Sequence, residues 1–209
     1  MNTNREYLAQ TAAATQENLD EGLRAHMLRV YNYMAAAIAL TGLAAWMTYS
    51  MAIGTTAEGQ MGLTAFGQLI YASPLKWVVI LAPLAIVFYF SFRIHKMSFS
   101  TAQAVFWVYA ALMGMSLSSI LLVYTGESIA RTFFITAASF AGLSLFGYTT
   151  KKDLSGIGQF LIMGVIGLII ASVVNLFLES SGLAFAISVI GVLVFAGLTA
   201  YDTQKIKEE

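Results

Sequence analysis

The chain has 209 residues, of which 58% are hydrophobic and only 11% are charged. An average soluble domain carries about 25% charged residues, so this chain has too few charges to cover the surface of a soluble globule. Its formal charge is zero, which gives no support to a nucleic-acid partner. The absence of cysteine excludes disulfides, thiolate metal sites and cysteine nucleophiles. The class that remains is an all-α, polytopic membrane protein.

Six apolar stretches are long enough to cross a hydrocarbon core, which takes roughly 20 residues of helix. None alternates between apolar and polar residues, so a transmembrane barrel is disfavoured. The predicted spans are residues 33–53, 75–92, 102–124, 132–148, 157–178 and 183–201. We expect a transmembrane bundle over residues 31–204, a cytoplasmic segment over residues 1–30 and a cytoplasmic tail over residues 205–209. The one long connector, residues 54–74, predicts a short interfacial helix.

The segment ahead of the first span predicts an amphipathic helix. Asn18 with Glu21 resembles a capping box, which would start the helix there. Apolar residues then recur at helical spacing, namely Leu19, Leu23, Met27 and Val30. We expect residues 18–30 to lie on the membrane surface and to lead into the first span. For residues 1–17 a solvated tail is an equally good interpretation.

Basic residues in the predicted loops give the orientation, because cytoplasmic loops retain lysine and arginine. Only Lys76 and Arg131 fall on one side of the membrane. The other side carries the remaining nine, namely Arg5, Arg24, Arg29, Arg93, Lys96, Lys151, Lys152, Lys205 and Lys207. This asymmetry places both termini in the cytoplasm.

Small residues spaced four apart predict where the helices pack. Lipid gives membrane helices no hydrophobic incentive to associate, so close approach of small residues takes its place. Such stripes occur on three spans: Ala110, Gly114 and Ser118 on the third, Gly167 and Ala171 on the fifth, and Ala196 and Ala200 on the sixth. We interpret them as packing faces within a bundle.

Charged side chains inside a membrane are costly, so each is a candidate for function. Asp202 stands at the cytoplasmic end of the sixth span, and Arg93 closes the second span on the same side. A carboxylate and a guanidinium at matching depth can form a bidentate pair. The alternative is that Asp202 lies in headgroup water and that Arg93 extends its side chain into the same layer.

Other polar residues offer less chemistry. His26 and His95 are far apart in the chain and lack a third ligand, so no metal site is expected there. Ser144 follows Gly142 as in a serine nucleophile turn, but no histidine lies at membrane depth to act as its base. Three amides are interpreted as helix-to-helix hydrogen bonds: Asn175, Gln103 and Gln159.

Four short motifs together resemble the Bax-inhibitor family of membrane proteins. Each is weak by itself, but the four keep the family's order and spacing over residues 24–209. The motifs are MLRVYNYM at 27–34, GMSLS at 114–118, KKDLS at 151–155 and YDTQKI at 201–206. The last of these is the most specific, since it closely matches the end of the family's sixth helix.

The resemblance implies a seven-helix fold, with six helices around a central one, and a pH-sensitive calcium leak. In bacterial members a carboxylate pair and an arginine are thought to latch the conducting path near the cytoplasm. Asp202 then corresponds to the sixth-helix carboxylate and is a candidate calcium contact, while Arg93 corresponds to the latch arginine. The second carboxylate of the family lies in a seventh helix. This sequence stops at Glu209, before any such helix, so either it is a truncated form or this member lacks that helix.

Three functions follow from these observations. The first is a pH-sensitive calcium leak channel of the bacterial inner membrane, with calcium as the transported ion, no cofactor and no enzymatic activity. The alternative is a membrane-embedded regulator that binds a membrane protease or stress-response partner without conducting ions. A third, an intramembrane aspartyl protease, is suggested by Tyr201 and Asp202 but needs two carboxylates. No second Asp lies within any predicted span.

Overall fold

The computed structural model describes residues 3–55 and 60–208, with side chains from residue 21 onwards except that of His95. Its long helices are α1 (Thr3–Ala52), α3 (Leu75–Arg93), α4 (Phe99–Leu117), α6 (Gly126–Thr149), α7 (Ser155–Leu178) and α8 (Ser181–Glu208). Shorter elements are β1 (Ile53–Thr55), β2 (Met61–Leu63), α2 (Ala65–Gly67) and α5 (Ile120–Val123). A π-helical turn over Gln68–Ala72 continues α2, and a 3₁₀ turn over Ile94–Lys96 follows α3.

The described residues contain six segments that are long and apolar enough to cross a membrane. They are Glu21–Ala52 within α1, α3, Phe99–Val123, α6, α7 and α8, and each contains the predicted span or all but its last residue. Large apolar side chains stand exposed along them, for example Phe88, Phe134 and Phe177. Such surfaces suit contact with lipid tails and not with water. The all-α, polytopic class is therefore confirmed.

The first helix begins much earlier than predicted. It is continuous from Thr3 to Ala52, so the expected start at Asn18 is wrong. Residues 3–17 contain neither glycine nor proline and include four alanines, two glutamines and two glutamates. Since these residues favour helix, nothing in the sequence interrupts the helix before the span. The last helix likewise continues through the predicted tail as far as Glu208.

The long connector after α1 folds back on the end of that helix. β1 and β2 form a two-stranded antiparallel ribbon, with Gly54 opposite Gly62. The Thr64 side chain then donates a hydrogen bond of 2.8 Å to the Met51 carbonyl. The short helix predicted in this connector is present over residues 65–72, where α2 and the π-helical turn run together; its place at the membrane interface stays a prediction. The ribbon was not expected, because each of its strands is only three residues long.

The chain divides into two compact units, residues 24–129 and residues 130–209 with residues 1–23. In the first unit, the stripe on α4 is a packing face as predicted, and Ala110 and Gly114 in it lie against α1. The Thr41 hydroxyl donates a hydrogen bond of 2.9 Å to the Ala110 carbonyl. A Cβ on Gly114 would overlap the Thr41 carbonyl oxygen. The two helices thus approach so closely that only glycine fits at position 114.

The third span is not one straight helix. Ser118 is fully buried, its amide N–H bonds back three residues to the Met115 carbonyl at 3.3 Å, and its hydroxyl lies 2.7 Å from the Tyr71 hydroxyl. The same i to i−3 pattern recurs in the next two bonds. These tighter bonds end α4 at Leu117 and separate it from α5.

In the second unit, α7 and α8 pack along one another. Leu161, Gly164 and Leu168 face α8, where they lie against Gly197, Val194 and Gly191 in that order. The prediction for Gly167 is wrong, since a Cβ on that residue would meet nothing within 4 Å. It falls to one side of the row that Leu161, Gly164 and Leu168 define at helical spacing.

Candidate functional site

The end of α8 packs tightly against the end of α6. A Cβ on Gly147 of α6 would overlap the carbonyl oxygen of Ala200, which is 4% exposed. One residue further along α8, the Tyr201 ring lies so close to Gly158 of α7 that a Cβ there would stand 2.7 Å from it. Glycine on both neighbouring helices therefore lets the last turns of α8 lie directly on their backbones.

Three polar side chains then tie α8 to the same neighbours, and we call Thr203, Gln204 and Lys207 the α8 anchor. The Thr203 hydroxyl donates to the Thr199 carbonyl at 2.9 Å and lies 3.4 Å from the Ser144 hydroxyl of α6. The Lys207 ammonium donates to the Tyr148 carbonyl at 2.8 Å, with the same ammonium 5.1 Å from the Tyr148 ring centroid. Ser144 and Tyr148 both lie in the last turns of α6, so Thr203 and Lys207 tie α8 to that end of α6.

Gln204 holds the loop between α6 and α7. Its Nε2 donates a hydrogen bond of 2.8 Å to the Lys152 carbonyl, and its Oε1 accepts one of 2.9 Å from the Leu154 backbone N–H. Gln204 is 6% exposed and Leu154 is 7% exposed. A buried amide with both ends satisfied fixes the loop strongly, because losing either partner would leave a polar group without a hydrogen bond. The KKDLS and YDTQKI motifs thus meet in the folded protein.

The loop also prepares the start of α7. Asp153 Oδ1 accepts a 2.8 Å hydrogen bond from the Ser155 N–H, the first residue of that helix. The Ser155 hydroxyl and then its backbone N–H hold the pKa of the Asp153 carboxyl below its usual value. A carboxylate at this position also suits the positive end of the helix dipole. Asp153 therefore helps to begin α7.

Asp202 lies outside the α8 anchor. Its neighbours Thr203 and Gln204 are buried, whereas Asp202 and Lys205 are exposed. Among the described residues Asp202 accepts no hydrogen bond, and Lys205 follows it three residues later on the same helix. At 1.5 Å per residue, Asp202 stands about 32 Å from the start of α8, at the edge of a hydrocarbon core. The anchor fixes the rotation of α8 and leaves this carboxylate free to pair.

Arg93, the other predicted site residue, is the last residue of α3 and is exposed. It belongs to residues 24–129, whereas Asp202 belongs to the unit formed by residues 130–209. Their pairing stays a prediction. The described part of the chain contains no group of three or more His, Asp or Glu side chains placed to hold a metal ion.

The spacing of residues along α8 also points to Gln204. Ala196 and Ala200 were predicted to face a neighbouring helix, and Gln204 continues the same row four residues later. A residue in that row is expected to face the same neighbours.

Of the three amides interpreted as hydrogen bonds between helices, Gln103 does join two helices, since it donates to the Tyr33 hydroxyl at 3.3 Å. Asn175 caps the turn after α7 by accepting from the Ser180 N–H, and Gln159 is exposed.

Comparison with known proteins gives a consistent match along almost the whole chain. A family model described as "Inhibitor of apoptosis-promoting Bax1" matches residues 23–209. An uncharacterised protein of Rickettsia prowazekii is 52% identical over 197 residues, which cover 94% of this chain and 78% of the relative. A protein of Caulobacter vibrioides is 49% identical over 91% of this chain and 75% of the relative. The inner membrane protein YbhL of Escherichia coli K12 is 43% identical over 89% of this chain and 75% of the relative.

Proposed function

The chain belongs to the Bax-inhibitor family, and from that premise we propose that it is a pH-sensitive calcium leak channel of the bacterial inner membrane. The family match over residues 23–209 and the inner-membrane relative support this proposal. The six apolar spans make the protein multi-pass. The observation that carries the proposal furthest is the contrast between buried Gln204 and exposed Asp202, which lie two residues apart on opposite faces of α8.

In the proposed mechanism Asp202 and Arg93 act as a latch at the predicted cytoplasmic side. An ionised Asp202 binds the Arg93 guanidinium through charge-assisted hydrogen bonds and holds the ends of α8 and α3 together. Protonation of Asp202 removes that attraction and shifts the equilibrium towards an open state. Calcium is the transported ion, and Asp202 is also the acidic group that contacts it.

The α8 anchor gives this latch a fixed base. Gln204 and Lys207 bind the α6–α7 loop and the end of α6, so the position of Asp202 on α8 does not depend on the latch being closed. A change in charge at Asp202 is then transmitted as a change in pairing and not as unwinding of the helix end. Lys205, the neighbouring cation on the same helix, competes for the carboxylate.

Calcium flux into liposomes that contain the full chain tests the proposal. Flux is measured between about pH 6 and pH 8, where a channel sensitive to cellular pH must respond. The wild-type protein should leak calcium in a pH-dependent way, and Asp202→Asn should leak more at every pH and lose the dependence. Glu208→Gln is the matched control, because it neutralises another exposed carboxylate on the same helix.

Two outcomes would overturn the proposal. Asp202→Asn with the wild-type pH profile would remove Asp202 from the latch. No flux from wild-type protein that is fully inserted would refute the channel and favour the regulator that binds a membrane protease or stress-response partner. The second outcome would be followed by isolation of the protein in mild detergent, in which a bound partner is retained.

A further inference from the structure

A groove between α1 and α4 presents hydrogen-bond donors above an apolar floor. Its volume is about 450 Å³, and it lies wholly within the unit formed by residues 24–129. Arg29, Asn32 and Tyr33 supply its polar lining. The apolar lining consists of Ala25, Leu28, Ala36 and Trp107.

The position of this groove relative to the membrane follows from the register of the two helices. Gln103 bonds Tyr33 and Ala110 bonds Thr41, so residues on α4 stand level with residues on α1 that are about 70 positions earlier. Arg29 is then level with Phe99, where α4 begins. The polar end of the groove therefore lies at the membrane boundary, and Ala36 and Trp107 lie further into the bilayer.

The polar groups in the groove favour an anion. Arg29 is exposed and forms no salt bridge with any residue that the structure describes. The Tyr33 oxygen already accepts from Gln103 Nε2, so the phenol keeps its hydrogen to donate. Asn32 adds an exposed carboxamide, and none of the lining residues is acidic. A guanidinium flanked by donors is the arrangement that binds phosphate.

We propose that this groove binds an anionic phospholipid, with its phosphate on Arg29 and an acyl chain along Leu28, Ala36 and Trp107. The boundary position puts the donors at headgroup depth, and the predicted cytoplasmic side is the one on which basic pockets between helices bind anionic headgroups. A soluble phosphate would gain nothing from the apolar floor, so the lipid is the occupant that the whole groove fits.

Quenching of Trp107 fluorescence by brominated lipid tests the site. Trp46 and Trp77 are first replaced with Phe in the full chain, so that Trp107 alone reports. Vesicles of phosphatidylcholine then receive increasing fractions of brominated phosphatidylglycerol or, in parallel, of brominated phosphatidylcholine. The anionic lipid should quench with about five-fold higher apparent affinity, the effect of one arginine near the membrane surface.

Three variants of the single-tryptophan protein complete the test. Arg29→Gln should remove the preference for phosphatidylglycerol, and Tyr33→Phe should weaken it while leaving the aromatic ring in place. Arg24→Gln should keep the preference, because Arg24 is exposed on the same helix but does not line the groove. Equal quenching by the two lipids, or equal loss in the Arg24 and Arg29 variants, would overturn the proposal. Displacement of the brominated lipid by excess inorganic phosphate would also overturn it.

Discussion

Gln204 binds the backbone at Leu154 through its Oε1, which accepts a hydrogen bond of 2.9 Å from the Leu154 N–H. The Nε2 of the same side chain donates one of 2.8 Å to the Lys152 carbonyl. Gln204 and Leu154 are both buried. One side chain on α8 thus fixes the entry to α7. This relationship determines which mutations near the proposed latch should disturb folding and which should disturb only the latch.

Gln204→Ala should destabilise the protein by about 1–3 kcal/mol, because it leaves the buried Leu154 N–H without a partner. Thermal unfolding in detergent, followed by the loss of helical circular dichroism, measures the effect. Gln159→Ala on α7 is the matched control, since Gln159 is exposed and its removal should change stability by less than about 0.5 kcal/mol. Equal effects in the two variants would mean that the Gln204 hydrogen bonds add nothing.

Gly147→Ala should cost about 1–3 kcal/mol, because its Cβ meets the Ala200 backbone and forces α6 and α8 apart. Gly142→Ala, on the same helix, places a Cβ in open space and should stabilise the protein by up to about 1 kcal/mol through helix propensity. The comparison is made by thermal unfolding at one detergent concentration. Stabilisation by both substitutions would contradict the close packing of the two helices.

Asp153→Asn should lower stability near neutral pH and not in acid. The pKa of Asp153 is lowered in the folded protein, so its stabilising effect is fully present above its ordinary value of 3.8. It is lost as the pH falls through the lower folded-state value. Melting temperatures of the two proteins should therefore converge in acid. A difference that stays constant from neutral pH into acid would show that the carboxylate charge does not support α7.

Glu179→Gly should stabilise the protein by about 0.5–1 kcal/mol. Glu179 ends α7 in the left-handed region, with φ of 48° and ψ of 31°, where a side chain costs more than the extra entropy that glycine loses on folding. Glu179→Ala keeps the strain and should not stabilise. Thermal unfolding of both variants separates relief of strain from removal of the charge, and an equal gain in both would contradict the strain.

Much of the fold could be predicted from the sequence, because membrane spans and small-residue stripes depend on local composition. The packing of Gly114 and Ala200 was predicted in this way, and so was the Gln103 hydrogen bond between helices. The start of α1 was not, although the composition of residues 3–17 favours helix. The break at Ser118 was not either, since it depends on the contact of that hydroxyl with Tyr71, which lies outside the helix. Gln204 was missed for a similar reason: its partners are backbone groups about 50 residues away.

The candidate site could be predicted only in part. A carboxylate at the end of an apolar span identifies Asp202 as unusual, because charge is rare at that depth. The sequence does not contain the distance from Asp202 to Arg93, which depends on the arrangement of the two units. Whether the two side chains interact can instead be tested by measuring the energetic coupling between them.

A double-mutant cycle on calcium flux tests the latch most directly. Wild-type protein, Asp202→Asn, Arg93→Gln and the double variant are reconstituted at equal density, and the leak is measured at one pH near neutrality. If the two residues pair, each single variant should raise the leak, and the double variant should leak no faster than the leakier single one, with a departure from additivity of at least about two-fold. Independent effects that multiply in the double variant would contradict the latch.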